Sequence, residues 1–171
     1  FETEVDFIDG ADYNYLQGFY YRFKKDYEKA EKQLNYAIEK YPNFQRARRE
    51  LVNILLLKDD YEKALEMAKA NYQTQKLNAF HIQAYFICLI RKKFQTREDK
   101  IIIEELLKNI DRSYDTKSKE IANVMKGEFA FYIKKDNSTA IELLRECIKT
   151  NSSKHYPTKA LCDIYAKSGL L

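Results

Sequence analysis

The pentapeptide Asp-Tyr-Glu-Lys-Ala occurs twice in this chain, at residues 26–30 and 60–64, 34 residues apart. An identical string at that distance marks an internal repeat. Periods of roughly 20–50 residues belong to arrays in which each unit buries an apolar face against the next. The spacing predicts such an array, and the scarcity of turn-makers agrees. Four Gly and two Pro in 171 residues are too few for an all-β fold, which needs one every few residues. The expected fold is all-α.

The first unit can be read residue by residue. Tyr13, Leu16, Tyr20 and Phe23 or Lys24 recur at three- and four-residue spacing, which predicts an amphipathic helix over 13–24. Lys25 and Asp26 break it, and Asp26 is placed to cap a second helix by accepting a backbone N–H. Tyr27, Ala30, Leu34, Ala37, Ile38 and Tyr41 form the apolar stripe of that second helix, and Pro42 ends it. The product is a helical hairpin with more apolar surface than its two helices can hide from water.

Gly18, Tyr21, Ala30, Leu34, Ala37 and Pro42 resemble the tetratricopeptide repeat, with its small, aromatic, Ala, large apolar, Ala and Pro positions at the family's spacings. Gln17 departs from it, standing where the family prefers Leu. The second unit, about 45–77, keeps Leu51, Leu55 and Ala64, with Ala68 for the larger apolar residue, Val52 for Gly, Asn71 for Ala and Lys76 for Pro. The third pairs a helix over 79–93, through Ile82, Tyr85, Phe86 and Leu89, with a helix opened by a capping box at Thr96–Asp99 and running to about 111. The linker between those two is a few residues longer than the period allows. The fourth runs from about 117 to 150, its second helix marked by Ala140, Leu144 and Cys147. A half unit starts at Tyr156. The resemblance implies a right-handed α-solenoid of about four such hairpins plus a terminal half-repeat, occupying 13–171.

Residues 1–12 are expected to form a separate acidic leader or linker. They carry five acids and no base, and Phe1, Thr3, Val5 and Phe7 alternate with acids at a strand-like period of two. The rest of the chain then holds all 30 Lys and Arg against 21 of the 26 acids, a basic body that favours acidic partners. Cys88, Cys147 and Cys162 each sit in an apolar helical pattern and read as buried, reduced thiols of an intracellular, cytoplasmic protein. No apolar run approaches the ~18 residues of a membrane span. Asn137 and Asn151 begin Asn-x-Ser/Thr triplets, read here as helix-start or loop residues. With no initiator Met, the chain reads as a piece of something longer, a regulatory or sensor portion with a bacterial Lys, Asn, Ile and Tyr bias.

The sequence holds no Cys-x-x-Cys, His-Glu-x-x-His or Gly-x-Ser-x-Gly, and its glycines are too scattered for a phosphate loop. Its two histidines, His81 and His155, are far apart, and His81 reads as a surface or capping side chain. We therefore expect no enzyme, no cofactor and no metal. The family binds extended peptides or helices on the concave face lined by the first helices of successive hairpins. The resemblance implies that Tyr15, Phe19, Arg22, Arg46, Arg49, Asn53, Phe80, Gln83 and Ile87 line that face here. Phe19 and Phe80 would anchor a protein or peptide segment, and Arg49 with Asn53 would orient it. Two readings compete at these positions. A register shifted by one would put Phe19, Phe80 and Ile87 in the core, and Arg48 and Glu50 would be solvated while Arg46 caps a neighbour. Capture of a chaperone C-terminal tail needs an Asn where Ala84 stands.

Two other functions remain open at this stage. One is a homo-oligomer through 156–171, with Leu161, Ile164 and Leu170 uncovered on an unpaired helix. The other is single-stranded nucleic-acid binding through the basic clusters Lys24-Lys25, Arg46–Arg49, Arg91–Lys93 and Lys134-Lys135. All but Arg46–Arg49 fall at expected helix C-termini, where the dipole favours cations anyway.

Overall fold

The computed structural model describes residues 10–112 and 115–169, and the chain divides into two compact units, Phe1–Gln75 and Lys76–Leu171. The first holds helices α1 (Gly10–Phe23), α2 (Tyr27–Lys40), α3 (Gln45–Leu57) and α4 (Tyr61–Thr74). Each packs on its successor, and α3 also touches α1. The second holds α5 (Ala79–Ile90), α6 (Arg97–Asp111), α7 (Thr116–Tyr132), α8 (Asn137–Thr150) and α9 (His155–Ser168). Again each helix packs on the next, with α7 reaching back to α5 and forward to α9. Among the described residues the chain is thus four helical hairpins and a ninth, unpaired helix, as the repeat reading expects. The acidic alternation of residues 1–8 lies outside the described residues, and α1 opens at Gly10, three residues before the expected Tyr13.

The first two hairpins are turned by the same local device. Asp26 accepts the Lys29 N–H at 3.3 Å and Asp60 accepts the Lys63 N–H at 3.4 Å, so the two copies of the pentapeptide cap two equivalent helices. The preceding residue is left-handed in both, Lys25 at φ 60° and Asp59 at φ 59°. The Asp26 N–H reaches the Tyr21 carbonyl and the Asp60 N–H reaches the Leu55 carbonyl. That 6→1 bond across a left-handed residue closes the end of the first helix. A left-handed conformation costs a side-chain-bearing residue roughly 1–2 kcal/mol, while glycine in its place costs about 0.5–1 kcal/mol in chain entropy. Lys25→Gly should therefore stabilise the protein by about 0.5 kcal/mol. Thermal melts followed by circular dichroism check this, and Lys25→Ala, which removes the same charge, should give no gain.

Within each hairpin the helices meet at small residues. A Cβ added at Gly18 would lie 2.7 Å from Leu34 Cγ, and one at Gly127 would lie 2.8 Å from Leu144 Cγ. Ala30, Leu34, Ala37, Ala140 and Leu144 are completely buried. The third hairpin keeps its longer linker by tying it down. Gln95 donates to the Leu89, Ile90 and Lys92 carbonyls at the end of α5, while Thr96 and Asp99 form the expected capping box. Asn71, a departure from the repeat pattern, is buried and accepts a hydrogen bond from Arg48, which also holds the Pro42 carbonyl at 2.6 Å.

Four expectations are corrected. The α1 stripe points outward: Tyr13, Leu16 and Tyr20 are 51–54% exposed and Phe23 is 80% exposed, while Ala11, Asn14 and Gly18 face α2. The positions 34 residues on, Ala47, Glu50 and Ile54 of α3, are buried where α1 and α2 pack on it. So the stripe lies on the side of α1 that corresponds to the covered side of α3. His81 is buried, because Asn78 rather than His81 caps α5. Cys162 is exposed, since α9 buries Ala160, Leu161 and Ile164 instead, whereas Cys88 and Cys147 are buried as expected. Leu161 and Ile164 are accordingly covered by α7 and α8 and do not supply an uncovered terminal face. Leu170 lies outside the described residues. Asn137 is the first residue of α8, and Asn151 caps its other end with its amide directed at the Glu120 carbonyl.

Candidate functional site

In the first unit Arg22 of α1 and Asn53 of α3 meet at one carboxylate. Arg22 Nε lies 2.7 Å from Glu50 Oε1, and Asn53 Nδ2 donates to Glu50 Oε2 at 3.3 Å. The Glu50 side chain is only 8% exposed, and the Arg22 side chain is 34% exposed. The Arg22 guanidinium also sits over the Phe19 ring, 4.7 Å from its centroid, which is cation–π range. Phe19 is itself 44% exposed. Tyr15 packs at a tilt on Phe44 with ring centroids 5.2 Å apart. Arg46 is exposed and Arg49 half-buried, one turn apart on α3.

Phe19 is thus not a core residue, and the solvated reading of Arg48 and Glu50 is corrected. Glu50 is buried with Arg22 and Asn53 as its polar partners, and Arg48 is spent on the Pro42 carbonyl and Asn71. Arg46 caps nothing that the described hydrogen bonds show; it stands in solvent. Asn53 is likewise committed to Glu50 and offers a partner only what that bond leaves.

The second unit has its own network on α5, α7 and α9. The Tyr156 hydroxyl donates to Glu128 Oε2, with the Gln83 side chain beside it acting to lower the phenol's pKa. Glu128 is 3% exposed, and burial pushes its carboxyl up to about 7, opposed by the Tyr156 hydrogen bond and by Arg91. The Tyr156 phenol is held well above its ordinary range by burial and by the neighbouring carboxylate. Arg91, at the end of α5, is paired with Asp163 of α9 at 3.3 Å. Phe80 is half-buried, with Lys117 Nζ 5.3 Å from its ring centroid, and Ile87 is half-buried. Of the expected positions here, Gln83 alone enters the network.

The crystal structure of TTC0263, a thermophilic TPR protein in Thermus thermophilus, matches with a TM-score of 0.67 over 93% of this chain and 83% of that one, at 14% sequence identity. The fold is that of the tetratricopeptide repeat. In sequence the chain matches no protein-family profile and no curated protein. Taken as tetratricopeptide repeats, α1, α3, α5, α7 and α9 are the first helices, and both networks sit on first helices of their unit.

Glu50, Glu128, Tyr156 and Lys117 escaped the sequence reading. Glu50 and Glu128 each carried a signal, being single acids inside apolar stripes (Ala47, Leu51, Ile54 and Ile121, Val124, Met125) whose neighbours are all buried. An acid on such a face has to find a partner, because an unpaired buried charge is too costly to keep. No helix among the described residues is long and apolar enough to cross a membrane.

Proposed function

We propose that this chain is a protein-interaction module that binds an acidic peptide or protein segment on its first-helix faces. The observation that carries the reading is the half-exposed Phe19 held under the Arg22 guanidinium, with exposed Arg46 and half-buried Arg49 one helix over. An aromatic and arginines on one face are what binding hot spots favour. The Arg22–Glu50–Asn53 bonds fix Phe19 and Arg22 before any partner arrives, which lowers the ordering cost of binding. In the second unit Phe80, Gln83 and Ile87 offer a comparable half-buried surface. The fold of TTC0263 supports the class of function by analogy, since helical repeats commonly hold other proteins. The setting we propose is a regulatory or sensor portion of a larger intracellular protein, acting by binding and not by catalysis.

Selection of peptides from a random displayed library tests this. Acidic, apolar-containing peptides should be recovered. Phe19→Ser with Arg46→Glu should weaken their binding at least tenfold while circular dichroism stays unchanged, because both residues are exposed. Equal binding to the variant would overturn the assignment of this face. Nucleic acid is the second reading, on the strength of the exposed Arg46 and half-buried Arg49 at the start of α3. A single-stranded RNA complex would weaken by about 0.7 log unit per log unit of salt for each phosphate contact, whereas a peptide anchored by Phe19 should lose far less.

A further inference from the structure

The outward stripe of α1 serves neither the fold of the first unit nor the proposed peptide face, apart from its edge with Phe19. Tyr13, Leu16 and Tyr20 are each about half-exposed and Phe23 more so. Single exposed apolar residues are ordinary, but four on one helical face are a contiguous patch. The residues 34 positions on in α3, Ala47, Glu50 and Ile54, are buried, while Leu57, the counterpart of Phe23, is 46% exposed. Ala47 is small and admits the close approach of the hairpin before α3. On α1 the counterpart of Ala47 is Tyr13, too bulky for the same approach. The face is built for a different neighbour.

We propose that the chain self-associates through α1, a second copy lying antiparallel across this face. The pattern is close to palindromic about Gly18. An antiparallel copy brings the second copy's Phe23 to the level of Tyr13 and the second copy's Tyr20 to the level of Leu16. It also brings the second copy's Lys24 to the level of Asp12. Asp12 and Lys24 are exposed, and neither is held in an ion pair among the described residues. The acidic end of one helix thus faces the basic end of the other, and the two helix dipoles oppose. A parallel pair would set acid against acid. With about 100 Å² still exposed on each of four large side chains, the patch covers roughly 400 Å² per copy. That is below the ~800 Å² per partner of a stable complex, so the dimer is weak and reversible.

Sedimentation equilibrium of the whole chain over a wide concentration range is the test, with circular dichroism as the control for folding. The wild-type chain should pass from monomer to dimer, and Tyr20→Lys should weaken the dimer at least tenfold. Asp12→Lys alone should weaken it about two- to fivefold, as an exposed ion pair would. Asp12→Lys combined with Lys24→Asp should restore it. A monomer at every concentration overturns the proposal, as does a dimer indifferent to Tyr20→Lys. Loss with Tyr20→Lys but no response to the charge reversals overturns the antiparallel arrangement. A chain starting at Gly10 that dimerises while the whole chain does not would show that residues 1–9 occupy the face, and would overturn it too.

Discussion

Cutting Leu34 back to alanine should destabilise the protein by about 2–5 kcal/mol, the usual cost of a buried leucine. Leu34 is completely buried between α1 and α2, and its Cγ lies 2.7 Å from where a Cβ on Gly18 would fall. The sharper expectation concerns the pair. Gly18→Ala alone should destabilise by about 1–3 kcal/mol through overpacking, offset by up to about 1 kcal/mol of helix propensity. With Leu34→Ala already in place the obstruction is gone. The added methyl then fills part of the cavity, and Gly18→Ala becomes neutral or stabilising. Urea denaturation of the four proteins in this cycle measures the coupling, which contacting residues typically show at about 0.5–3 kcal/mol. Gly127 and Leu144 repeat the geometry in the second unit, with Cγ 2.8 Å from the added Cβ, and should repeat the result. Additive effects at both sites would mean that the helices simply part, and that neither glycine is there to allow close approach.

The pair also shows why the hairpins were legible in the sequence. Gly18, Ala30, Leu34 and Ala37 are fixed by the crossing of two adjacent helices, a local constraint with a short spacing. The same holds for Asp26 and Asp60, whose capping role needs only the next turn of chain. The Thr96–Asp99 box and the α5 stripe were readable on the same terms. The facing of α1 was not. Its apolar period is a good helical one, yet period does not say which neighbour covers the stripe, and here α2 takes the small-residue side. His81 was misread because Asn78, three residues earlier, does the capping. Asn71 and Glu50 were treated as departures or surface because their partners, Arg48 and Arg22, lie 23 and 28 positions away in sequence. Long-range polar pairing carries no periodic signature. The candidate site is therefore legible as a set of first-helix positions but not as a network, since Glu50, Glu128 and Tyr156 join residues from different hairpins.

Glu128 gives the second large effect. Its carboxyl is pushed up to about 7 by burial, from an ordinary 4.5. The folded state therefore holds a proton that the unfolded state has lost across the interval between those values. Stability is greatest below the unfolded value and falls as pH rises, by about 1.4 kcal/mol per pH unit within that interval. The total is of the order of 3 kcal/mol by pH 7.5. Arg91 and Lys159 lessen the cost of ionisation and Asp163 adds to it, while the Tyr156 hydroxyl stabilises the ionised form by donating to it. The capping acids have the opposite sign. Asp26, Asp60 and Asp136 are held below their usual range by hydrogen bonds from Lys29, Lys63 and Thr139, so their contribution is lost only as pH falls below about 4. Glu128→Gln keeps an oxygen to accept from Tyr156 and cannot ionise. Urea midpoints at pH 5, 6 and 7.5 should fall steadily for the natural chain relative to the variant. The variant should be the more stable at pH 7.5 and nearly equal at pH 5. Because every other titrating group is common to both proteins, their difference isolates Glu128. A difference that does not change with pH would mean that the carboxylate ionises normally inside the fold, with Arg91 and Tyr156 offsetting the whole cost of its burial.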